Sequence, residues 1–182
     1  MSDRFQDIYR IPSARLRNWD YSADGIYFIT ICTASHEYYF GMIENKKMIL
    51  SEIGSLVLME WKKSFDMRVE LLCDSFVIMP NHIHAILRIE NGVFSNKQGS
   101  ATNPTVTTSK SGVAYRSPKS ISSFVAGFKS VITTKVRKNH QLFDWQTRFH
   151  DHIIHNEVEY QRIANYIETN PANWEQDKFY KK

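Results

Sequence analysis

From Phe76 to Leu87 the chain reads FVIMPNHIHAIL, an apolar run broken only by Pro80, Asn81 and two histidines two residues apart. Proline has no N–H to give to a ladder, so Pro80 marks the end of a strand rather than its middle. Val69 to Pro80 is rich in β-branched and aromatic residues and reads as one or two strand pieces. HIHAILRIE alternates and reads as the next strand, which Asn91-Gly92 ends. On a strand, residues i and i+2 share a face. His82 and His84 therefore project together, with Ile83 turned to the core behind them.

Two protonated imidazoles side by side repel, whereas two neutral ones make half of a divalent metal site. The same pattern would also fit two unrelated polar positions on a solvated sheet face. Further evidence has to come from the rest of the chain.

Ahead of this segment, IYFITICTA (26–34) reads as a buried strand, introduced by Asp24-Gly25. FGMIENKKMIL reads as a hairpin with Glu44-Asn45-Lys46 at its tip. SEIGSLVLMEWKKSF reads as a helix capped by Ser51, with Ile53, Leu56, Val57, Glu60, Trp61 and Ser64 on one face. Residues from about 94 to 119 are dominated by Ser, Thr, Gly, Asn and Lys and read as a flexible loop. SISSFVAGFKSVITTKVRK reads as a second helix, with Ile121, Phe124, Val125, Phe128, Val131 and Ile132 as its buried stripe. A connection through NHQLFDWQTRFHDHII leads to a last helix at about 156–170. Asn156 is its N-cap, Glu159 completes a capping-box pattern and Pro171 ends it. The order of elements begins an antiparallel α+β sandwich, and 182 residues suit a single domain.

The net charge of +4 is modest, but its distribution is not even. Between Thr107 and His150, Lys110, Arg116, Lys119, Lys129, Lys135, Arg137, Lys138 and Arg148 face a single acid, Asp144. Such a segment suits a polyanion partner, or else a solvated helix face beside a loop. The two cysteines, Cys32 and Cys73, are far apart and form no CxxC. They read as reduced core thiols of a cytoplasmic protein. The N-terminus has no apolar signal-like core, and no apolar run approaches membrane-span length.

Tyr166 and Asn170 lie four apart, on one face of the last helix. A phenol and an amide oxygen so placed could dock beside the histidine pair. They could equally be a core tyrosine and a helix-ending asparagine. Tyr160 is a rival nucleophile, but the residue four beyond it is Ala164, which binds nothing.

MPNHIHAIL, followed by a basic helix and then WQTRFHDHIIHNEVEYQRIANYIETNPANW, resembles the single-tyrosine HUH transposases. More narrowly, it is similar to the insertion-sequence-200-like enzymes of the REP-associated tyrosine transposase branch. The likeness also runs through DYSADGIYFITICT, HEYYFGMI and FVAGFKS. The histidine motif alone is weak. Its conjunction with WQ-R, DHII and YI--NP in that order is specific.

The resemblance implies an α+β, ferredoxin-like (RRM-like) antiparallel sheet with helices on one face and the histidines on a central strand. A further helix brings the tyrosine up to them. On this chain His82 and His84 would be metal ligands and Tyr166 the nucleophile. Asn170 would stand where the wider family usually has a glutamine. The ion would be Mg²⁺ or Mn²⁺. The reaction implied is transesterification of single-stranded DNA through a 5′-phosphotyrosine, often at hairpins. Lys129, Lys135, Arg137, Lys138 and Arg148, with Arg15 and Arg17 of the N-terminal arm, would contact DNA. Trp145 and Phe149 could stack on bases or pack in the core. His152, in DHII, matches a recurrent family position and is a candidate accessory residue; with His150, Asp151 and His155 it offers no unambiguous general base. Whether relatives of this kind act as monomers or as homodimers that exchange tyrosine helices stays open. A domesticated, non-catalytic nucleic-acid-binding protein and a metal-dependent phosphodiester hydrolase are the alternatives. Against the hydrolase, Ile86 stands where a third alternating histidine would be.

Overall fold

The computed structural model of the protein describes residues 4–5, 8–9, 19–92, 117–138 and 142–181. The expected DNA contacts Arg15 and Arg17, and all but the last three residues of the loop expected at 94–119, lie outside them. Two short strands, β1 (Arg4–Phe5) and β2 (Ile8–Tyr9), pair with each other. The main sheet is built from β3 (Gly25–Cys32), β6 (Leu71–Met79), β7 (His82–Ile89) and β8 (His150–Ile154). Its order is β6-β7-β3-β8, antiparallel throughout. With α1 (Glu52–Asp66) after β3 and α2 (Ile121–Lys138) after β7, this is the ferredoxin-like βαββαβ arrangement. The hairpin β4 (Gly41–Glu44) and β5 (Lys47–Leu50) is inserted before α1, and α3 (Glu157–Thr169) is added after β8.

The pleat sorts the side chains. Tyr27, Ile29 and Ile31 of β3 join Ile83, Ala85, Leu87 and Ile89 of β7 in one core. Against it pack Val57 and Trp61 of α1 and Phe124, Phe128 and Ile132 of α2. The opposite face, with Phe28 and Ile86, receives Ile163 and Ile167 of α3. Thus α1 and α2 cover one face, and α3 docks on the face that carries the histidines.

Local chemistry explains the elements. Ser51 Oγ accepts from the Gly54 amide and caps α1. A Cβ on Gly54 would lie 2.0 Å from the Phe40 carbonyl oxygen, so only glycine lets α1 approach the backbone just before β4. Asn45 and Lys46 have φ of 49° and 63°, the left-handed pair that a tight two-residue hairpin requires. Asn156 Oδ1 accepts from the Glu159 amide and starts α3. Glu159 reaches back to the His155 amide, one residue before the cap.

The stretch read from sequence as a plain connection contains β8. It is a short edge strand whose residues alternate His150, Asp151 and His152 before the apolar Ile153-Ile154, and only its pairing with β3 reveals it. Both cysteines are free thiols, and burial pushes each up to about 11. Among the described residues no helix is long and apolar enough to cross a membrane.

Candidate metal and nucleophile site

β7 carries His82 and His84 side by side on the α3 face, with ring centroids 4.4 Å apart and with 0% and 1% exposure. Burial is the main cause holding both imidazoles neutral. It lowers the pKa of His82 to about 3, helped by the neighbouring His36 and Lys178. His84 is pushed well below its ordinary value by burial and then by His82.

The tautomer of His82 is fixed by its neighbour. Asn81 Nδ2 donates to the carbonyls of His36 (3.1 Å) and Phe179 (2.8 Å). Its Oδ1 therefore faces His82 Nδ1 at 2.8 Å as an acceptor, and Nδ1 bears the proton. That leaves His82 Nε2 as a bare lone pair, buried and, among the described residues, with no hydrogen-bond partner. His84 Nδ1 lies 2.9 Å from Thr30 Oγ1, a hydroxyl able to donate or accept.

α3 brings the phenol. Tyr166 Oη sits 3.1 Å from His84 Nε2 and donates to Asp177 Oδ2 at 3.0 Å. Burial raises the Tyr166 pKa, and the Asp177 carboxylate raises it further. Asn170 Nδ2 donates to the same Oδ2 at 2.9 Å, while Asn170 Oδ1 is buried without a partner among the described residues. Ligand atoms of His82, His84 and Asp177 all lie within 4.8 Å of one another, so this group could hold a metal ion. The orphaned His82 Nε2 and Asn170 Oδ1 are the kind of buried polar atoms that a cation would satisfy. Asp177 was not found from the sequence. It follows a short 3-10 segment, Asn170–Gln176, and no spacing rule connects it to the histidines.

The position of α3 is set at several points. Between Cys73 and Ser75 the β6 register shifts, a bulge that frees Asp74 from the ladder. Asp74 pairs with Arg88 at 2.6 Å and accepts from Tyr160 Oη at 3.3 Å. Tyr160, the rival nucleophile, is thereby part of the docking of α3. His152, the candidate accessory residue, is bonded to Glu159 at 2.7 Å and ties β8 to the first turn of α3. His150 stands in the same cross-strand row as Thr30 and His84, since Thr30 pairs with both. All these groups meet within one chain.

The basic residues nominated from sequence are placed differently. α2 lies across the sheet from the histidines. Lys129 Nζ donates to the carbonyls of Gln146 (2.6 Å) and Arg148 (3.2 Å), and burial lowers its pKa to about 8. Lys135 pairs with the buried Glu60, and Arg137 with Asp144 at 2.8 Å. These three side chains each have partners within the chain. Lys138 ends α2, and Arg148 lies two residues before β8. Trp145 packs against the main core and donates from Nε1 to the Lys129 carbonyl, and Phe149 packs there too.

No family model matches the chain. A protein of Haemophilus influenzae, described as uncharacterized, is 37% identical over 174 residues, which span 95% of this chain and 94% of that one. The chain belongs to the family of that Haemophilus protein. Among solved structures, a REP-associated tyrosine transposase bound to a REP hairpin superposes with a TM-score of 0.57. The match covers 92% of this chain and 77% of the other at 18% identity, and it shows a shared fold. This chain thus shares the fold of that tyrosine transposase, with its own histidine pair on the main sheet and the α3 helix that bears Tyr166 laid over it.

Proposed function

We propose that this chain is a metal-dependent single-stranded DNA transposase or strand transferase. In this reading Tyr166 is the nucleophile, and His82, His84 and Asn170 hold a divalent ion together with the Asp177 carboxylate. The observation that carries it is the meeting of a buried neutral histidine pair, one bare Nε2 and a tyrosine hydroxyl 3.1 Å from the second histidine. The transposase fold and the hairpin bound by the similar solved structure support the choice of DNA. A single domain working on hairpin-flanked single strands is the corresponding organisation.

A free tyrosine is a poor nucleophile at neutral pH, with a reference pKa of about 10. Here burial and Asp177 raise it further, so the phenol stays protonated until a substrate arrives. Asp177 already accepts the Tyr166 proton's hydrogen bond and is the group placed to take it. As Tyr166 Oη bonds to phosphorus, the bond from phosphorus to the 3′ oxygen breaks, and that oxygen leaves as a hydroxyl after gaining a proton. The 5′ phosphate is left as a tyrosine ester, and attack by a second 3′ hydroxyl reverses the step. Mg²⁺ or Mn²⁺ bound to this mixed N/O set would draw charge from the phosphate oxygens. Coordination by His84 Nε2 requires its proton on Nδ1, where Thr30 Oγ1 can accept it. Thr30 is thus the rotor that lets His84 change tautomer.

A binding-only reading is favoured by one observation. Phe179 lies over His82 at 4.6 Å, and Asp177 is seated between Tyr166 and Asn170, so the C-terminal segment closes the approach. A single assay separates the two. Labelled single-stranded DNA hairpins with flanking tails are incubated with the protein and Mn²⁺ or Mg²⁺, for wild type and Tyr166→Phe. The expected result is a covalent protein–DNA adduct that needs metal and disappears in the variant. Free products without an adduct, unaffected by Tyr166→Phe, would identify a hydrolase. Tight binding without cleavage would identify the non-catalytic binder.

A further inference from the structure

A cleft of about 550 Å³ opens beside the histidine site, between the β4–β5 hairpin and the Asn170–Gln176 segment. Its size is that of a small-ligand pocket, in the range of roughly 300–1,000 Å³. Tyr38, Trp174 and Tyr180 contribute aromatic surface. Trp174 packs with Tyr38 at 5.7 Å and with Tyr180 at 5.5 Å, so the three form one connected surface. Asn45, Asn173 and Gln176 add carboxamides, each offering both a donor and an acceptor. Lys46 and Glu175 complete the polar lining.

We infer that this cleft binds one unpaired nucleobase of the strand whose phosphate lies at the histidine site. The strand-transferase reading supplies the identity of the polymer. Three features of the cleft supply the rest.

The combination of flat aromatic surface with carboxamides suits a base, which has a π face to stack and an edge of mixed donors and acceptors to read. A bare phosphate would need a cluster of cations, and the lining holds Lys46 balanced by Glu175. The cleft also adjoins the site. Trp174, which lines the cleft, lies 6.0 Å from His82, centroid to centroid, and stands between the two. The same short segment runs from Asn170 at the site to Asn173 and Gln176 at the cleft. Finally, the rim is built. The left-handed backbone of Asn45 and Lys46 holds the hairpin tip in one conformation opposite the 3-10 segment.

The test uses fluorescein-labelled pentanucleotides with an abasic site stepped along the chain, titrated without metal against four proteins. These are wild type, Gln176→Ala, Asn45→Gly and Tyr166→Phe. Asn45→Gly keeps the turn conformation, so loss of folding does not confuse the result. For wild type, one abasic position is expected to weaken binding about tenfold, in line with losing one stacked and hydrogen-bonded base. In Gln176→Ala and Asn45→Gly that penalty should shrink to about threefold or less, with circular dichroism unchanged. In Tyr166→Phe it should persist. A penalty unchanged in both cleft variants would overturn the inference, as would wild-type binding with no sensitive position. If the penalty behaves as stated but no Tyr166 adduct ever forms, the base site stands and the transferase reading falls. If the adduct forms while the cleft variants change nothing, the reverse holds. Failure to bind any oligonucleotide overturns both.

Discussion

His82 donates from Nδ1 to the side-chain oxygen of Asn81, the residue immediately before it, at 2.8 Å. Asn81 cannot turn over, because its nitrogen is held by two carbonyls. The lone pair on Nε2 is thus prepared before any ligand arrives. Replacing Asn81 by Ala releases both tautomers. Partners that orient metal-bound histidines are typically worth ten- to a hundredfold in affinity. Asn81→Ala should weaken Mn²⁺ binding by about that factor, measured by calorimetric titration. Nitrogen NMR of the imidazole should show mixed tautomers at His82. An unchanged affinity would remove Asn81 from the site.

Asp177 has two relations to Tyr166, as its hydrogen-bond acceptor and as a cause of its raised pKa. Asp177→Asn removes the charge and keeps the shape. The Tyr166 pKa should fall, followed by carbon NMR of labelled tyrosine, although burial, the larger cause, keeps it above the ordinary value. Mn²⁺ affinity should fall in parallel, by about tenfold or more. Retention of full affinity would leave the metal to His82, His84 and Asn170.

The histidine pair makes the fold sensitive to acid. In the unfolded chain each imidazole protonates near 6.5, whereas in the fold His82 stays neutral down to about 3 and His84 also titrates well below its ordinary value. Between those limits the unfolded state binds more protons, so stability falls as pH falls. At pH 5, His82 alone should lower stability by about 2 kcal/mol relative to pH 7.5. Urea midpoints of the EDTA-treated protein at both values test this, with His82→Phe as the control in which the slope should flatten. An equal slope in the control would place the acid sensitivity elsewhere.

Asp74 stands out of the ladder at the β6 bulge and holds both Arg88 and Tyr160. Asp74→Ala should loosen α3 more than it unfolds the sheet. The expected loss is about 1–2 kcal/mol, seen as faster amide exchange in α3 with β3 and β7 still protected. Uniform loss of protection would make Asp74 a general stabiliser rather than an anchor of α3.

Much of this architecture was legible because its causes are local. Period-two alternation aimed His82 and His84 to one face and Ile83 to the other, and the Asn156 cap announced α3. What escaped was long-range. β8 is an edge strand whose polar start, His150 to His152, has no strand signature of its own and is ordered by β3. Asp177 reaches the site because the chain folds back after Trp174, which no helical or strand spacing encodes. Lys129 was read by its charge; its ammonium lies 5.8 Å from the centre of the Trp145 ring and donates to two backbone carbonyls. The same amphipathic side chain serves either purpose, and only packing decides.

The anchoring of α3 at Tyr160 and the use of α3 at Tyr166 make the helix a gauge with one graduation. Each inserted residue turns the downstream part of an α-helix by about 100° and advances it by about 1.5 Å. One extra residue between the two tyrosines would swing the phenol off the histidines. Seven would nearly restore the angle, but at a height roughly 10 Å too far along the axis. No change of length in that interval recovers both, so indels there are forbidden even where every side chain is otherwise replaceable.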